Sequence, residues 1–363
     1  MSQDGAGAGT TEEVRTMSDS VGVSDPTTDI EEPKPSRSPT LLRRAADAFL
    51  RRREASVLIV AIGLIVYFQV STPIFLTPDN LRNIAQATAP TAIVAVGIVF
   101  LLVSGEIDVS VGMVAALAPY LMHYAIDFYS IPAVPAILLS LAIAAGIGLI
   151  NGLVTMKLRV PSFVTTLGTF YLLYGVLLTT SHAYPVAVPT AVKGNLQTWL
   201  GAGDWASLTW CLIIVAVFHV VLTRTRWGLH TISVGGNIIG ATEAGIRATR
   251  IKIGNFMVVS VLGAFAGLME AFRINSIDPN IGGGTRITFT AIAAAVIGGT
   301  ALAGGSGTVI GALIGMFVLA ILQNGFNLIG VSANPFFLIQ GSAILISMIA
   351  NQYLSRLRRA GRT

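Results

Sequence analysis

Long apolar runs separated by short polar stretches dominate the chain from residue 56 to residue 353. A membrane-spanning helix needs roughly 20 apolar residues, because each residue adds about 1.5 Å and the hydrocarbon core is about 30 Å thick. The pattern therefore predicts an all-α polytopic membrane protein with about ten transmembrane helices. The predicted spans are 56–76, 84–103, 109–127, 133–155, 162–180, 207–223, 252–272, 288–303, 308–327 and 335–353.

One stretch, residues 105–112, places two carboxylates and two glycines between the apolar runs 92–103 and 113–121. A carboxylate next to hydrocarbon costs several kcal/mol unless it is paired, hydrated or at an interface. Glycine allows a helix to break or two backbones to approach closely. We expect a polar turn inside a transport protein, and a short solvated loop with incidental charges is the alternative. The candidate pathway and gating residues here are Gly105, Glu106, Asp108, Ser110 and Gly112.

The two ends of the chain differ from its centre. Residues 1–40 carry eight acidic and three basic residues without an apolar period, which predicts a disordered acidic tail. Residues 41–55 place leucine, alanine and phenylalanine at helical spacing among five arginines. This segment is either an amphipathic helix on an anionic membrane surface or a plain basic flank of the first span. Residues 56–355 form the predicted transmembrane domain, and 356–363 a basic tail.

The basic residues give an expected orientation. Beyond residue 40 the chain has an excess of ten positive charges, which lie in short segments between spans. Such charges favour the cytoplasmic side, so they indicate orientation and not nucleic-acid binding. Alternate loops are then cytoplasmic, including the long loop 224–252, and both termini are cytoplasmic. Residues 182–206 form a loop on the outer face.

A short internal repeat links the two halves of the spanning region. Asn151-Gly152 is followed by Pro161-Ser162-Phe163, and Asn324-Gly325 is followed by Pro335-Phe336-Phe337. In the expected topology the two copies run in opposite directions, which is the arrangement of an inverted-topology repeat in transporters. Asn151 and Asn324 therefore join the candidate pathway residues.

The sequence contains no recognisable catalytic, nucleotide-binding or metal-binding motif. It contains no phosphate-binding G-x-x-x-x-G-K-[ST] stretch, and its four histidines lack metal-ligand spacing. We therefore expect no catalytic residues, metal site or cofactor. With only 11% charged residues, most predicted spans carry no charge. An uncharged pathway suits a neutral substrate and implies that the driving energy comes from another protein.

The long cytoplasmic loop contains a candidate contact for such a partner. Asn237 is a good N-cap residue, and Gly245 can end a short helix, so the sequence predicts a helix of small residues between them. This helix either lies in a groove of another protein or touches only lipid headgroups. The candidate coupling residues are Gly236, Asn237, Ala241, Glu243, Ala244, Gly245 and Ile246.

Several motifs in order resemble one family. Residues 105–112 resemble the Gly-Gly-Ile-Asp-Leu-Ser-Val-Gly signature of ribose/xylose/galactose-type permease subunits of bacterial ABC importers, with Glu106 replacing a glycine. Residues 226–246, 151–168 and 298–308 match further motifs of that family. The resemblance covers about residues 55–355.

This resemblance implies a fold like that of cobalamin-importer permeases, with ten spans and a coupling helix between the sixth and seventh. It implies a homodimer or heterodimer of permeases in the lipid bilayer of the bacterial plasma (inner) membrane. A cytoplasmic ATP-binding subunit would hydrolyse ATP, and an extracytoplasmic sugar-binding protein would deliver a neutral monosaccharide or polyol. The alternatives are a permease for branched-chain amino acids or nucleosides, and an ATP-independent carrier or channel.

Overall fold

The computed structural model describes residues 53–279, 285–331, 338–342, 345, 346 and 349. The predicted acidic tail, most of the segment 41–55, the basic tail and most of the tenth predicted span lie outside these residues. The main helices are α1 (Arg53–Ser71), α2 (Pro78–Val103), α3 (Val111–Asp127), α4 (Ala133–Lys157), α5 (Ser162–Ser181), α6 (Ala206–Arg224), α7 (Arg226–Gly236), α8 (Ile238–Glu243), α9 (Ala248–Ile274), α10 (Thr285–Ile297) and α11 (Val309–Leu328).

The described chain is an all-α membrane protein of several passes. Each of the first nine predicted spans overlaps one of these helices, and six helices in the described part are long and apolar enough to cross a membrane. Helix α10 is shorter than its predicted span, because a glycine-rich turn begins at Gly298. The count of ten spans and the inverted repeat stay predictions, since Pro335-Phe336-Phe337 lies outside the described residues.

Helices α2 and α9 form the centre of the bundle. In the apolar part of α2, 83% of the residues are buried inside the protein, against 22% in α6. Helix α9 packs against α2, α3 and α4. Glycines allow close approach on two sides of α9, since Gly263 and Gly267 face Val111 and Ala115 of α3, while Gly148 of α4 faces the backbone of α9 at Phe256. Small residues at such crossings are how membrane helices gain packing energy without a hydrophobic driving force between them.

The segment 182–206 lies at one end of this bundle and has more structure than a loop. A two-residue strand β1 (Val186–Ala187) pairs antiparallel with β2 (Ser276–Ile277) after α9. Short helical turns follow at Thr190–Val192, Asn195–Gln197 and Thr198–Ala202. Gln197 Nε2 donates to the carbonyl of Phe272, 3.0 Å away, which ties the segment to the end of α9.

The loop 224–252 lies at the other end and contains a helix that the sequence analysis missed. Helix α7 begins after Thr225, whose side chain accepts a hydrogen bond from the backbone N–H of Gly228 at 3.3 Å. The predicted short helix is α8, and α9 begins at Ala248 rather than at residue 252. Helix α7 packs against both α6 and α8.

Candidate functional site

The polar stretch after α2 is a sharp helix end. Gly105 has a φ of +79°, and its backbone N–H donates to the carbonyl of Leu102 at 2.9 Å. The N–H of Glu106 donates to the carbonyl of Leu101 at 2.9 Å. These two bonds form a Schellman motif, which requires a left-handed residue at the position of Gly105. The backbone therefore shows the predicted break as the end of α2, where the chain turns toward α3.

The two carboxylates of this stretch have different partners. Glu106 Oε1 lies 2.6 Å from Nζ of Lys252 in the first turns of α9, and the two side chains are 12% and 10% exposed. Asp108 is fully buried, and its Oδ1 accepts bonds from the backbone N–H and the hydroxyl of Ser110, at 2.7 and 2.6 Å. Burial raises the pKa of Asp108 above its ordinary value, and the bonds from Ser110 oppose that shift.

Hydroxyl and amide side chains of α4 and α5 hold this stretch in place. Asn151 Nδ2 donates to Ser110 Oγ at 2.9 Å, and Asn151 Oδ1 accepts from Thr169 at 2.6 Å. The backbone N–H of Val109 donates to the hydroxyl of Thr166 at 3.1 Å, and that of Ile107 donates to Ser162 at 3.3 Å.

Of these partners, only Asn151 and Ser110 were predicted from the sequence as pathway residues, and Ser162 was noted only as part of the repeat. Ser162, Thr166 and Thr169 recur at spacings of four and three residues, which places them on one face of α5. That spacing in the sequence could have identified these three side chains as a polar face of the helix. Gly112 is also tied, since its N–H donates to the hydroxyl of Thr288 in α10 at 3.0 Å.

Two other glycine-containing segments meet the end of α2. The turn between α10 and α11 reaches it directly, because the N–H of Gly305 donates to the carbonyl of Val103 at 2.8 Å. A Cβ on Gly235, near the end of α7, would overlap that same carbonyl oxygen. A Cβ on Gly304 would lie 3.2 Å from Cα of Gly105. Three stretches that are distant in sequence therefore share one close backbone contact.

The predicted coupling helix has the expected caps. Asn237 Oδ1 accepts from the N–H of Gly240 at 3.0 Å, and Gly245 has a φ of +83°. The N–H of Gly245 donates to Thr242 and that of Ile246 to Ala241, at 2.9 and 3.0 Å, which is a second Schellman motif.

The side chains of α8 divide into a buried and an exposed set. Ala241 is only 5% exposed, so it packs within its own chain, whereas Ile239 is 70% exposed. Glu243, Ala244, Gly245, Asn237 and Gly236 are exposed, and Ile246 is half-buried. The surface that this helix offers is therefore centred on Ile239, which the sequence analysis did not name.

A polar cleft opens at the opposite end of the bundle. Its volume is about 390 Å³, and it lies between the N-terminal half of α2, the C-terminal end of α9, the start of α10 and the C-terminal half of α11. Asn324 lines this cleft. Its side-chain amide forms two hydrogen bonds of 2.9 Å with the side-chain amide of Asn80. The lining residues are Asn83, Ile84, Ala87, Thr88, Pro90, Thr91, Glu270, Arg273, Arg286, Ile287, Thr290, Met316, Ala320, Gln323, Asn324 and Asn327.

Two of the three charged side chains in the cleft compensate each other, and Arg286 leaves the described lining with one net positive charge. Arg273 and Glu270 form a bidentate pair with N···O distances of 2.8 and 2.6 Å. Their side chains are 26% and 21% exposed. The described residues contain no cluster of His, Cys, Asp and Glu that could hold a metal ion. The arrangement can bind and orient a polar molecule.

The chain is a multi-pass membrane protein of the transport class. Its apolar helices surround a buried polar break, with a polar cleft at one end of the bundle and a capped surface helix at the other. The family described as "Branched-chain amino acid transport system / permease component" matches residues 80–348. This match covers more than half of the chain, and the protein belongs to that permease family.

Individual relatives are similar along almost their whole length. The xylose/arabinose import permease protein XylH of Sulfolobus acidocaldarius is 35% identical over 318 residues, 85% of this chain and 87% of that protein. The ribose import permease protein RbsC of Escherichia coli K12 is 33% identical, over 82% of this chain and 93% of its own. The galactose/methyl galactoside import permease protein MglC of Haemophilus influenzae is 30% identical, over 80% and 91%. No solved structure matches the chain.

Proposed function

We propose that the protein is the transmembrane permease subunit of an ATP-driven importer for a neutral monosaccharide or polyol. The observation that carries this proposal is the family match over residues 80–348, together with relatives whose names are those of sugar import permeases. Because these relatives align over at least 80% of this chain, a shared transport role is the simplest account. The names of these relatives favour sugars over branched-chain amino acids.

The buried charges support an external energy source. A carrier coupled to protons or sodium usually has ionisable side chains in its pathway that bind the coupling ion. Here Glu106 is paired with Lys252, and Glu270 with Arg273, while Asp108 is buried and bonded to Ser110. We infer that ATP hydrolysis by a separate cytoplasmic subunit drives transport, and that an extracytoplasmic binding protein supplies the sugar. A second permease copy would complete the pathway.

The two ends of the bundle suit the proposed orientation. The segment 182–206 and the polar cleft lie at one end, and α7 and α8 lie at the other. With both termini in the cytoplasm of a bacterial inner membrane, the cleft faces outward and α8 faces the ATP-binding subunit. The residues around the break, together with Asn151 and Asn324, would then line or gate the pathway. The cap residues of α8 would present Ile239 to the partner.

Replacing Ile239 by aspartate is expected to weaken docking of the ATP-binding subunit roughly tenfold or more, because a charge replaces an apolar side chain at the centre of the contact. The folded permease should tolerate the change, since this side chain is 70% exposed. The measurement is co-purification of the tagged subunit, together with ATP hydrolysis stimulated by the loaded binding protein.

Leu158 provides the matched control. It is also 70% exposed and lies in the turn after α4, on the same expected side. Leu158→Asp should leave co-purification and stimulated hydrolysis unchanged. Release of the subunit by Leu158→Asp but not by Ile239→Asp would move the coupling surface to that turn. Failure of the wild-type permease to bind any ATP-binding subunit would refute the proposed function.

A further inference from the structure

The lining of the polar cleft includes hydrogen-bonding side chains that have no partner among the described residues. Thr91 and Gln323 line it and are half-buried. Within the part of the chain that the structure describes, neither side chain hydrogen-bonds to another residue. Their hydroxyl and amide groups therefore stay available to a molecule inside the cleft.

The position of Thr91 makes its free hydroxyl costly to keep. From Asn83 to Thr91 the cleft follows α2 for about 12 Å, at about 1.5 Å per residue, and Thr91 lies near the middle of this helix. Polar groups without partners at that depth of a membrane helix are unfavourable unless water or a substrate reaches them. Their presence indicates a polar entry that extends well into the bundle.

The remaining lining fits hydroxyl groups. The Glu270–Arg273 pair offers carboxylate acceptors and guanidinium donors at fixed positions without a large net charge. Each sugar hydroxyl both donates and accepts, so vicinal hydroxyls match such a pair and the nearby amides. No aromatic side chain lines the described cleft. A site that lacks the stacking surface of an aromatic ring holds a sugar weakly, which suits passage rather than retention.

Resting on the proposed function, we propose that this cleft is the contact site of the permease for the sugar as it passes. The hydroxyl of Thr91, deep in the cleft, and the amide of Gln323, nearer the end of α11, hydrogen-bond sugar hydroxyls. The ratio of sugar imported to ATP hydrolysed then depends on these two side chains, because a sugar that loses these contacts is not carried through in every cycle.

The test uses the complete transporter in proteoliposomes, with its ATP-binding subunit and binding protein. D-Ribose, D-xylose, L-arabinose and D-galactose are supplied as labelled probes, and sugar imported per ATP hydrolysed is measured. Thr91→Val and Gln323→Met keep side-chain size while removing hydrogen-bonding groups. Each is expected to lower the ratio roughly two- to tenfold, the equivalent of one lost neutral hydrogen bond. The ratio does not depend on how much active transporter a variant yields.

Thr209→Val is the control, because Thr209 is an exposed threonine in the first turn of α6, outside the cleft. It should leave the ratio unchanged. If wild type imports sugar and both cleft variants keep its ratio, the cleft is not the contact site. Unchanged ratios combined with lost co-purification of two differently tagged permease copies would assign the cleft to the dimer contact instead. If wild type imports none of the four sugars, the proposed function fails, and this inference fails with it.

Discussion

Replacing Gly267 with leucine is expected to leave almost no folded permease in the membrane. Gly263 and Gly267 lie one helical turn apart on α9 and face Val111 and Ala115 of α3. A Cβ on Gly267 would overlap the carbonyl oxygen of Ala115. Overpacking that side chains can absorb costs about 1–3 kcal/mol. Here the obstacle is backbone, so α3 would have to move away from α9, and the polar break that begins α3 would move with it.

The measurement is the yield and thermal stability of the purified protein in detergent. Gly146→Leu is the matched control, because a Cβ built on Gly146 of α4 has no atom within 4 Å apart from its chain neighbours and the nearby backbone of its own helix. It should leave yield and stability unchanged or slightly higher, since leucine favours helix more than glycine does. Equal behaviour of the two variants would show that α3 and α9 are not in close contact.

Replacing Lys252 with methionine is expected to cost about 3 kcal/mol or more, because it leaves the Glu106 carboxylate without its partner. Both side chains are close to fully buried, so solvent screens the remaining charge poorly. The double variant Glu106→Gln with Lys252→Met removes both charges and should recover much of the loss. The apparent melting temperatures of the four proteins in a double-mutant cycle give the coupling between the two residues.

The same cycle shows what this pair does for transport. It connects the polar break to the first turns of α9, directly after α8, so its loss should also lower hydrolysis stimulated by the binding protein. If the double variant is destabilised by the sum of the two single effects, the two residues do not interact. The Glu106 side chain would then have another role.

The ends of two helices were predictable from the sequence, because capping hydrogen bonds between neighbouring residues determine them. Asn237 and Gly245 delimit α8, and Gly105 ends α2, through caps that need only neighbouring residues. Helix α7 was missed because its eleven residues mix apolar, basic and glycine positions. Its one clear signal is the N-cap at Thr225.

Features that depend on distant residues could not be predicted in the same way. Lys252 is 146 residues from Glu106, and no local pattern links them. Hydropathy also does not separate a helix surrounded by protein from one surrounded by lipid, since both environments are apolar. The sequence therefore predicted α2 and α6 as equivalent spans, although one is central and the other peripheral. The sequence also does not show which small residue of a surface helix packs against its own protein, so Ala241 was interpreted as a contact residue. In the structure it is buried inside its own chain.

We propose above all that this permease imports sugar using ATP hydrolysed by another subunit. Proteoliposomes that contain the permease, its ATP-binding subunit and trapped ATP should accumulate a labelled sugar above its external concentration when the loaded binding protein is added outside. Omitting any one component should abolish accumulation, and collapsing proton and sodium gradients should not. Accumulation by the permease alone, driven by an ion gradient, would contradict the account.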